Sequence, residues 1–174
     1  VQSDQLSPRR ARSDWNESSM SLNIALDAMG GDNAPECVIA GAEMALIRHP
    51  GIKFLIFGNE GEIIPLLKSR PALKAASEIV HTSHVILSED KPSIAVRRGR
   101  QSSMWLAIES VKEGRSCAVV SAGNTGALMA ISRFVLKTLP GIDRPAICTT
   151  LPTITGHVHV LDLGANVDSG PEHL

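Results

Sequence analysis

From Leu22 onward the chain alternates short apolar, often β-branched runs with longer segments of helical periodicity, and that alternation leaves few folds open. "LNIALD" reads as a strand. A helix follows from Pro35 to His49, with Asp32 or Asn33 as its cap and Pro35 in its first turn. "KFLIFG" is a second strand, after which Asn59 and Glu62 give a cap-like opening to a short helix that Pro65 limits. "SEIVHT" is a weaker third strand, followed by a loop containing Lys91 and Pro92 and a long helix from about Ser93 to Glu113. "CAVVS" is the fourth strand, Thr125 to Leu136 the helix after it, and "AICTTL" and "HVHVLDLG" are two more strands. Strands that read as unbroken apolar runs and alternate with helices imply a mainly parallel sheet covered on both faces.

At 174 residues, with 43% hydrophobic and 20% charged, the chain supports one ordinary globular domain. Its formal net charge of -1, lack of Tyr and scarcity of Phe and Trp exclude a nucleic-acid binder built on a broad positive field or a stacking platform. The apolar runs are shorter than a membrane-spanning helix needs. Cys37, Cys117 and Cys148 form no C-x-x-C pair, so neither a disulfide framework nor a structural zinc site is expected. All three read as core or surface residues, and a reducing cytoplasm fits them. Residues 1–19 are polar and rich in Ser and Arg without an apolar core, unlike a secretory signal. Asp4, Asp14 and Glu17 argue against a transit peptide. The expectation is a flexible extension, or leader ahead of a start at Met20, with the folded domain over 20–174.

Three polar, glycine-containing loops follow apolar runs: Asp27 to Asp32, "DAMGGD"; Ser121 to Ala127, "SAGNTGA"; and Asp162 to Asp168, "DLGANVD". In a parallel sheet all three would lie along the edge where ligands bind, beyond the carboxyl ends of the strands. In the middle loop Gly123 and Gly126 permit close backbone approach, and the amides opening the next helix form an anion site. Ser121, Asn124 and Thr125 add neutral polar groups. The loop has no Walker lysine and no G-x-G-x-x-G, so a small anion suits it better than a nucleotide. A tight turn with no ligand satisfies the same residues. Asp27, Asp32, Asp162 and Asp168 read as loop braces in preference to metal ligands. Positive charge comes from Lys91, Arg97, Arg98, Arg100 and Arg144. His157 and His159 share a strand face but read as structural.

The strings "IALDAMGGDNAP", "SSM", "VKEGRSCAVVSAGNTGALM", "GIDRPA" and "LDLGANVDSGPEHL" resemble the PlsX family of bacterial phosphate acyltransferases, from Met20 to Leu174. The resemblance implies a three-layer α/β/α Rossmann-like fold, related to isopropylmalate and isocitrate dehydrogenases and to phosphotransacetylase. It also implies transfer of a fatty acyl group from acyl-[acyl carrier protein] to inorganic phosphate, giving acyl phosphate for phospholipid synthesis. Carried onto this sequence, it points to Asn124, Lys91 and Asn166 as catalytic. Gly30, Gly31, Asp32, Arg97, Ser121, Gly123, Thr125, Gly126 and Gly164 would bind phosphate or substrate. Neither metal nor other cofactor is implied, and the partners are the carrier-protein thioester, phosphate and a second copy of the chain, with no nucleic acid. Family members run about as long again, so this chain corresponds to the N-terminal half; the other half is expected to supply the remaining sheet, much of the dimer interface and any peripheral membrane contact. A thioester is already activated, so positioning and oxyanion stabilisation can suffice without a covalent nucleophile, which agrees with the absence of a G-x-S-x-G elbow. Two alternatives stand beside this: a non-catalytic phosphate-binding fragment, and a dehydrogenase on the related fold, which would need the dinucleotide loop that this chain lacks.

Overall fold

The computed structural model of the chain describes residues 22–142 and 145–161. Strand β1 (Leu22–Asp27) leads to helix α1 (Glu36–Arg48), β2 (Ile52–Gly58), the helices α2 (Glu60–Lys68) and α3 (Pro71–Ala75), and β3 (Ser77–His81). Helices α4 (Pro92–Arg98) and α5 (Ser103–Lys112), strand β4 (Ala118–Val120) and helix α6 (Thr125–Leu136) follow, and β5 (Cys148–Thr153) and β6 (Gly156–Leu161) end the described chain. The first four strands form a wholly parallel sheet in the order β3-β2-β1-β4.

The apolar runs explain the layering. Ile24 and Leu26 of β1 and Phe54 and Ile56 of β2 point to one face, where Ile39, Ile63, Leu67 and Leu73 of α1 to α3 cover them. Ala25, Leu55 and Phe57 point to the other face against Ala107 of α5. Beyond α5 lies a further apolar cluster, in which Met104, Trp105 and Ile108 meet Ala95 of α4 and Ala127, Ile131 and Val135 of α6. Strands buried on both sides need apolar residues at successive positions, which is why β1 and β2 read as runs and not as alternations. Each fully buried Ile, Phe or Met here is worth about 1.5–3 kcal/mol of transfer free energy.

Several expectations are corrected. The helix expected from Ser93 to Glu113 is two helices, because Gly99 ends α4 and Ser102 starts α5, its hydroxyl accepting from the Trp105 amide at 3.2 Å and donating to the Gly99 carbonyl at 2.6 Å. Neither Asp32 nor Asn33 caps α1: Pro35 occupies the cap position after a cis Ala34–Pro35 peptide, and no side chain caps it. Pro65 lies inside α2 without ending it. The burial of Ile63 and Leu67 on either side offsets the one backbone bond that proline forgoes. The Asn59 cap is as expected, accepting from Gly61 at 3.0 Å and donating to Glu62 at 2.6 Å. Finally, β5 and β6 do not join the parallel sheet. They pair with each other as an antiparallel hairpin that turns through Ile154 and Thr155, and Gly156, which opens β6 just after the turn, has a φ of +150 that suits glycine alone. Nearly all of the hairpin's residues are exposed.

Candidate functional site

The order β3-β2-β1-β4 fixes where a ligand can sit. Connections from β1 run outward through β2 to β3, then the chain returns to place β4 on the other side of β1. The order therefore reverses between β1 and β4, and α1 leaves the end of β1 on one face while α6 leaves β4 on the other. A crevice opens beyond strand ends at such a reversal. The loops that face each other across it are the first two of the three singled out above.

These two loops interlock by contact of backbone with backbone. The Ser121 hydroxyl donates to Oδ2 of Asp27 at 2.7 Å and accepts from the Gly123 amide at 3.1 Å. Asp27 is buried, and its Oδ1 has no hydrogen-bond partner among the described residues. A methyl group on Gly30 would lie 2.5 Å from Asp27 Oδ2 and 2.9 Å from the Gly123 nitrogen; one on Gly123 would lie 3.2 Å from the Gly30 Cα. Gly31 adopts φ +105 beside the Ala122 carbonyl. Three of the glycines expected to make room for a ligand thus make room for the neighbouring loop.

Asn124 holds a second junction. It is the N-cap of α6, its Oδ1 accepting from the Ala127 amide at 3.0 Å. Its Nδ2 lies 3.0 Å from the carbonyl of Ser88 and 2.9 Å from that of Asp90, with Leu87 at 3.3 Å. Both ends of the carboxamide are directed to protein, so in this geometry Asn124 acts as a positioning residue that ties the loop ahead of α4 to the start of α6. The Asp90 carboxylate closes that loop by accepting from the Leu87 amide at 2.9 Å. Gly126 completes the junction, since a methyl group there would lie 3.0 Å from Cγ of Pro92.

Between the junctions the amides of Thr125 and Gly126 have no partner among the described residues, and both residues are exposed. They are orphan donors at the positive end of a 12-residue helix, the arrangement that binds phosphate. Exposed Lys91 immediately precedes Pro92 and stands on the same rim. Arg97 does not: it lies in the last turn of α4, away from the loop. Asp32 is exposed and takes no part in the contacts that join the two loops. Asn166 and Gly164, with Asp162, Asp168 and Arg144, lie outside the described residues. The placement of the third loop along the same edge assumed that its strand joins the parallel sheet, and β6 does not. The three cysteines are free and exposed, and no three His, Cys, Asp or Glu side chains cluster among the described residues. His159 bonds Thr150 at 2.9 Å across the hairpin.

Two contributors escape a reading of the sequence: the Leu87–Asp90 loop and the Gly126–Pro92 contact. "SEDKP" carried a turn signal, with Asp three residues beyond a backbone donor. Nothing in it told which side chain the loop would meet. On its α1 side the crevice continues into an apolar groove of about 450 Å³, lined by Ile24, Leu26, Val38, Phe54, Val120 and Asp27 among others.

A sequence model of the family described as "Fatty acid synthesis protein" matches residues 22–174. The chain belongs to that family. Among relatives in it, the phosphate acyltransferase of Rhodospirillum rubrum is 54% identical over 156 residues, covering 90% of this chain and 45% of the relative. Those of Rhodopseudomonas palustris and Bradyrhizobium diazoefficiens are each 58% identical over 154 residues, 88% of this chain and 44% of theirs. The chain thus spans about half the length of the curated relatives it matches. The family match begins at Leu22, the first residue of β1, and includes both interlocked loops.

Proposed function

We propose that the chain carries the phosphate-binding part of an acyltransferase site that moves a fatty acyl group from acyl-[acyl carrier protein] to inorganic phosphate. The observation that supports this most directly is the pair of unpartnered amides, Thr125 and Gly126, exposed at the switch point beside Lys91. Two phosphate oxygens are held by these amides, and the Lys91 ammonium offsets part of the charge. A third phosphate oxygen attacks the thioester carbonyl carbon. The tetrahedral intermediate collapses with cleavage of the C–S bond, and the thiolate takes up the proton that phosphate gives up. Ser121, Asp27, Gly30 and Gly123 keep the cradle rigid, and Asn124 holds its rim. Asn166 and Gly164 complete the substrate contacts in this reading, and Gly31 and Asp32 belong to its outer wall. No covalent enzyme intermediate is required, in keeping with loops that offer amides and no activated nucleophile.

The same reading makes the apolar groove beside Asp27 the place where the acyl chain enters, and takes a second copy of the chain as a partner. It places the protein in the cytoplasm, with any peripheral membrane contact made by residues outside this chain. None of the described helices is long and apolar enough to cross a membrane.

The test is an amide-resolved phosphate titration of the chain by NMR. Saturating phosphate should move the Thr125 and Gly126 resonances most, and Gly126→Val, whose side chain meets Pro92, should abolish the effect. Shifts scattered over the surface with these amides unmoved would show that the loop holds no anion.

A further inference from the structure

The cations of this chain are not evenly spread. Segments 91–108 and 121–142 contain Lys91, Arg97, Arg98, Arg100, Arg133 and Lys137 and no acidic residue, although the chain as a whole has 17 Lys and Arg against 18 Asp and Glu. These segments hold α4 and α6, which pack side by side. The five cations other than Lys91 converge toward the ends of the two helices remote from the phosphate cradle. Arg100 stacks over Trp105 at 6.0 Å, Trp105 meets Phe134 at 5.7 Å, and the Lys137 ammonium lies 4.9 Å over Phe134. Beside them opens a cavity of about 510 Å³, lined by Val96, Ala130, Arg133, Phe134, Lys137 and Thr138. All five cations are exposed, and none forms an ion pair among the described residues.

Lys137 is a second, independent sign. It takes φ 68 and ψ 172 at the C-cap of α6, a positive-φ extended conformation that glycine alone adopts without strain. A lysine at that position brings a cation over Phe134 at some cost in backbone energy, which points to a requirement for charge.

We propose that this cation-rimmed cavity between α4 and α6 is the docking surface for an acidic helical protein, the acyl carrier protein that delivers the thioester. The inference rests on the acyl-transfer reading for the partner's identity, and on charge and shape for its location. Unpaired cations around a hollow of mixed lining, with Val96, Ala130 and Phe134 beside Arg133, Lys137 and Thr138, suit a carboxylate-rich helix, as in interfaces whose charges steer encounter. Helix α6 runs from this surface to the cradle. Its 12 residues span about 18 Å, a distance that the long thiol-bearing arm of a carrier can follow.

The experiment measures binding of purified acyl carrier protein to the chain at low and moderate salt. It compares wild type with Arg133→Glu/Lys137→Glu, with the neutral pair Arg133→Gln/Lys137→Gln, and with Lys53→Glu at the far end of the sheet. The reversed pair should weaken binding by ~10-fold or more, the neutral pair by less, and Lys53→Glu should be silent, with salt erasing the differences. If the reversed pair does not fold by circular dichroism, the neutral pair decides. Unchanged affinity in the folded charge variants overturns the proposal, as does absence of wild-type binding. So does binding that the same variants lose only toward anionic phospholipid vesicles or duplex DNA. Phosphate-dependent thiol release is followed in parallel. The variants should show a raised KM for the carrier thioester and an unchanged rate with a small acyl thioester. Wild type inactive with both thioesters would defeat the acyl-transfer reading, and the binding arm would still decide the docking surface.

Discussion

Gly30→Ala separates the interlocked-loop account from a simpler one in which the glycines serve flexibility. The backbone at Gly30 does not lie in the left-handed region, so alanine is permitted there on conformational grounds. The whole penalty is therefore steric. The new methyl would sit 2.5 Å from Asp27 Oδ2, 2.9 Å from the Gly123 nitrogen and 3.0 Å from Ser121 Oγ. Asp27 is 1% exposed and cannot swing into solvent, so either the loops part or the Asp27–Ser121 hydrogen bond breaks. Overpacking of this kind costs about 1–3 kcal/mol, and a lost buried hydrogen bond about 1 kcal/mol more, for a sum near ~3 kcal/mol. In a domain of this size that lowers Tm by roughly 6–12 °C. The control is Gly41→Ala in α1, where the added methyl meets nothing within 4 Å and the removed mid-helix glycine should give a gain of about 0.5–1 kcal/mol. Thermal unfolding followed by circular dichroism reads both. If Gly30→Ala melts within a degree of wild type while Gly41→Ala rises, the loops do not interlock as described.

Asn124→Asp should destabilise the chain although aspartate caps helices as well as asparagine does, because it sets a carboxylate oxygen against the carbonyls of Ser88 and Asp90; denaturant unfolding should show a loss of about 2 kcal/mol, and a neutral result would remove the stitch to the Leu87–Asp90 loop. Ser121→Ala should cost on the order of 2 kcal/mol, since it takes the one described partner from Asp27 and the acceptor from the Gly123 amide, with hydrogen exchange at Gly123 rising in step; protection equal to wild type would refute this.

The parallel sheet was legible because burial on both faces leaves a mark in the sequence. β1 and β2 must be apolar at successive positions, so "LNIALD" and "KFLIFG" announce themselves, and β1 matches its reading residue for residue. Helix α6 is equally plain, opened by Asn124 and carried by Ala127, Ile131 and Val135 at helical spacing. The break between α4 and α5 was written in Gly99 and Ser102, yet apolar periodicity runs through both, and a periodicity reading joins what a cap divides. The hairpin was misplaced for another reason. Alternation along "HVHVL" states that a strand exists; partner and direction depend on the two-residue turn Ile154–Thr155, after which Gly156 opens β6 with a positive φ and the chain returns at once, as a parallel arrangement forbids.

The candidate site was legible as a place and not as a set of roles. Small residues in "DAMGGD" and "SAGNTGA" say that backbone must be approached closely, but the sequence is silent on whether a ligand or another loop approaches. Here the other loop does so at Gly30, Gly31 and Gly123, and Pro92 does so at Gly126. The open amides of Thr125 and Gly126 are then a consequence of that packing: Ser121 turns to Gly123 and Asp27, Asn124 turns to Ala127 and the neighbouring loop, and the first turn of α6 retains two donors that its own side chains do not satisfy. A helix start whose cap, Asn124, satisfies the Ala127 amide and is itself tied to the neighbouring loop is held rigid with its first two amides open, which is the preorganisation that stabilisation of a reacting anion requires.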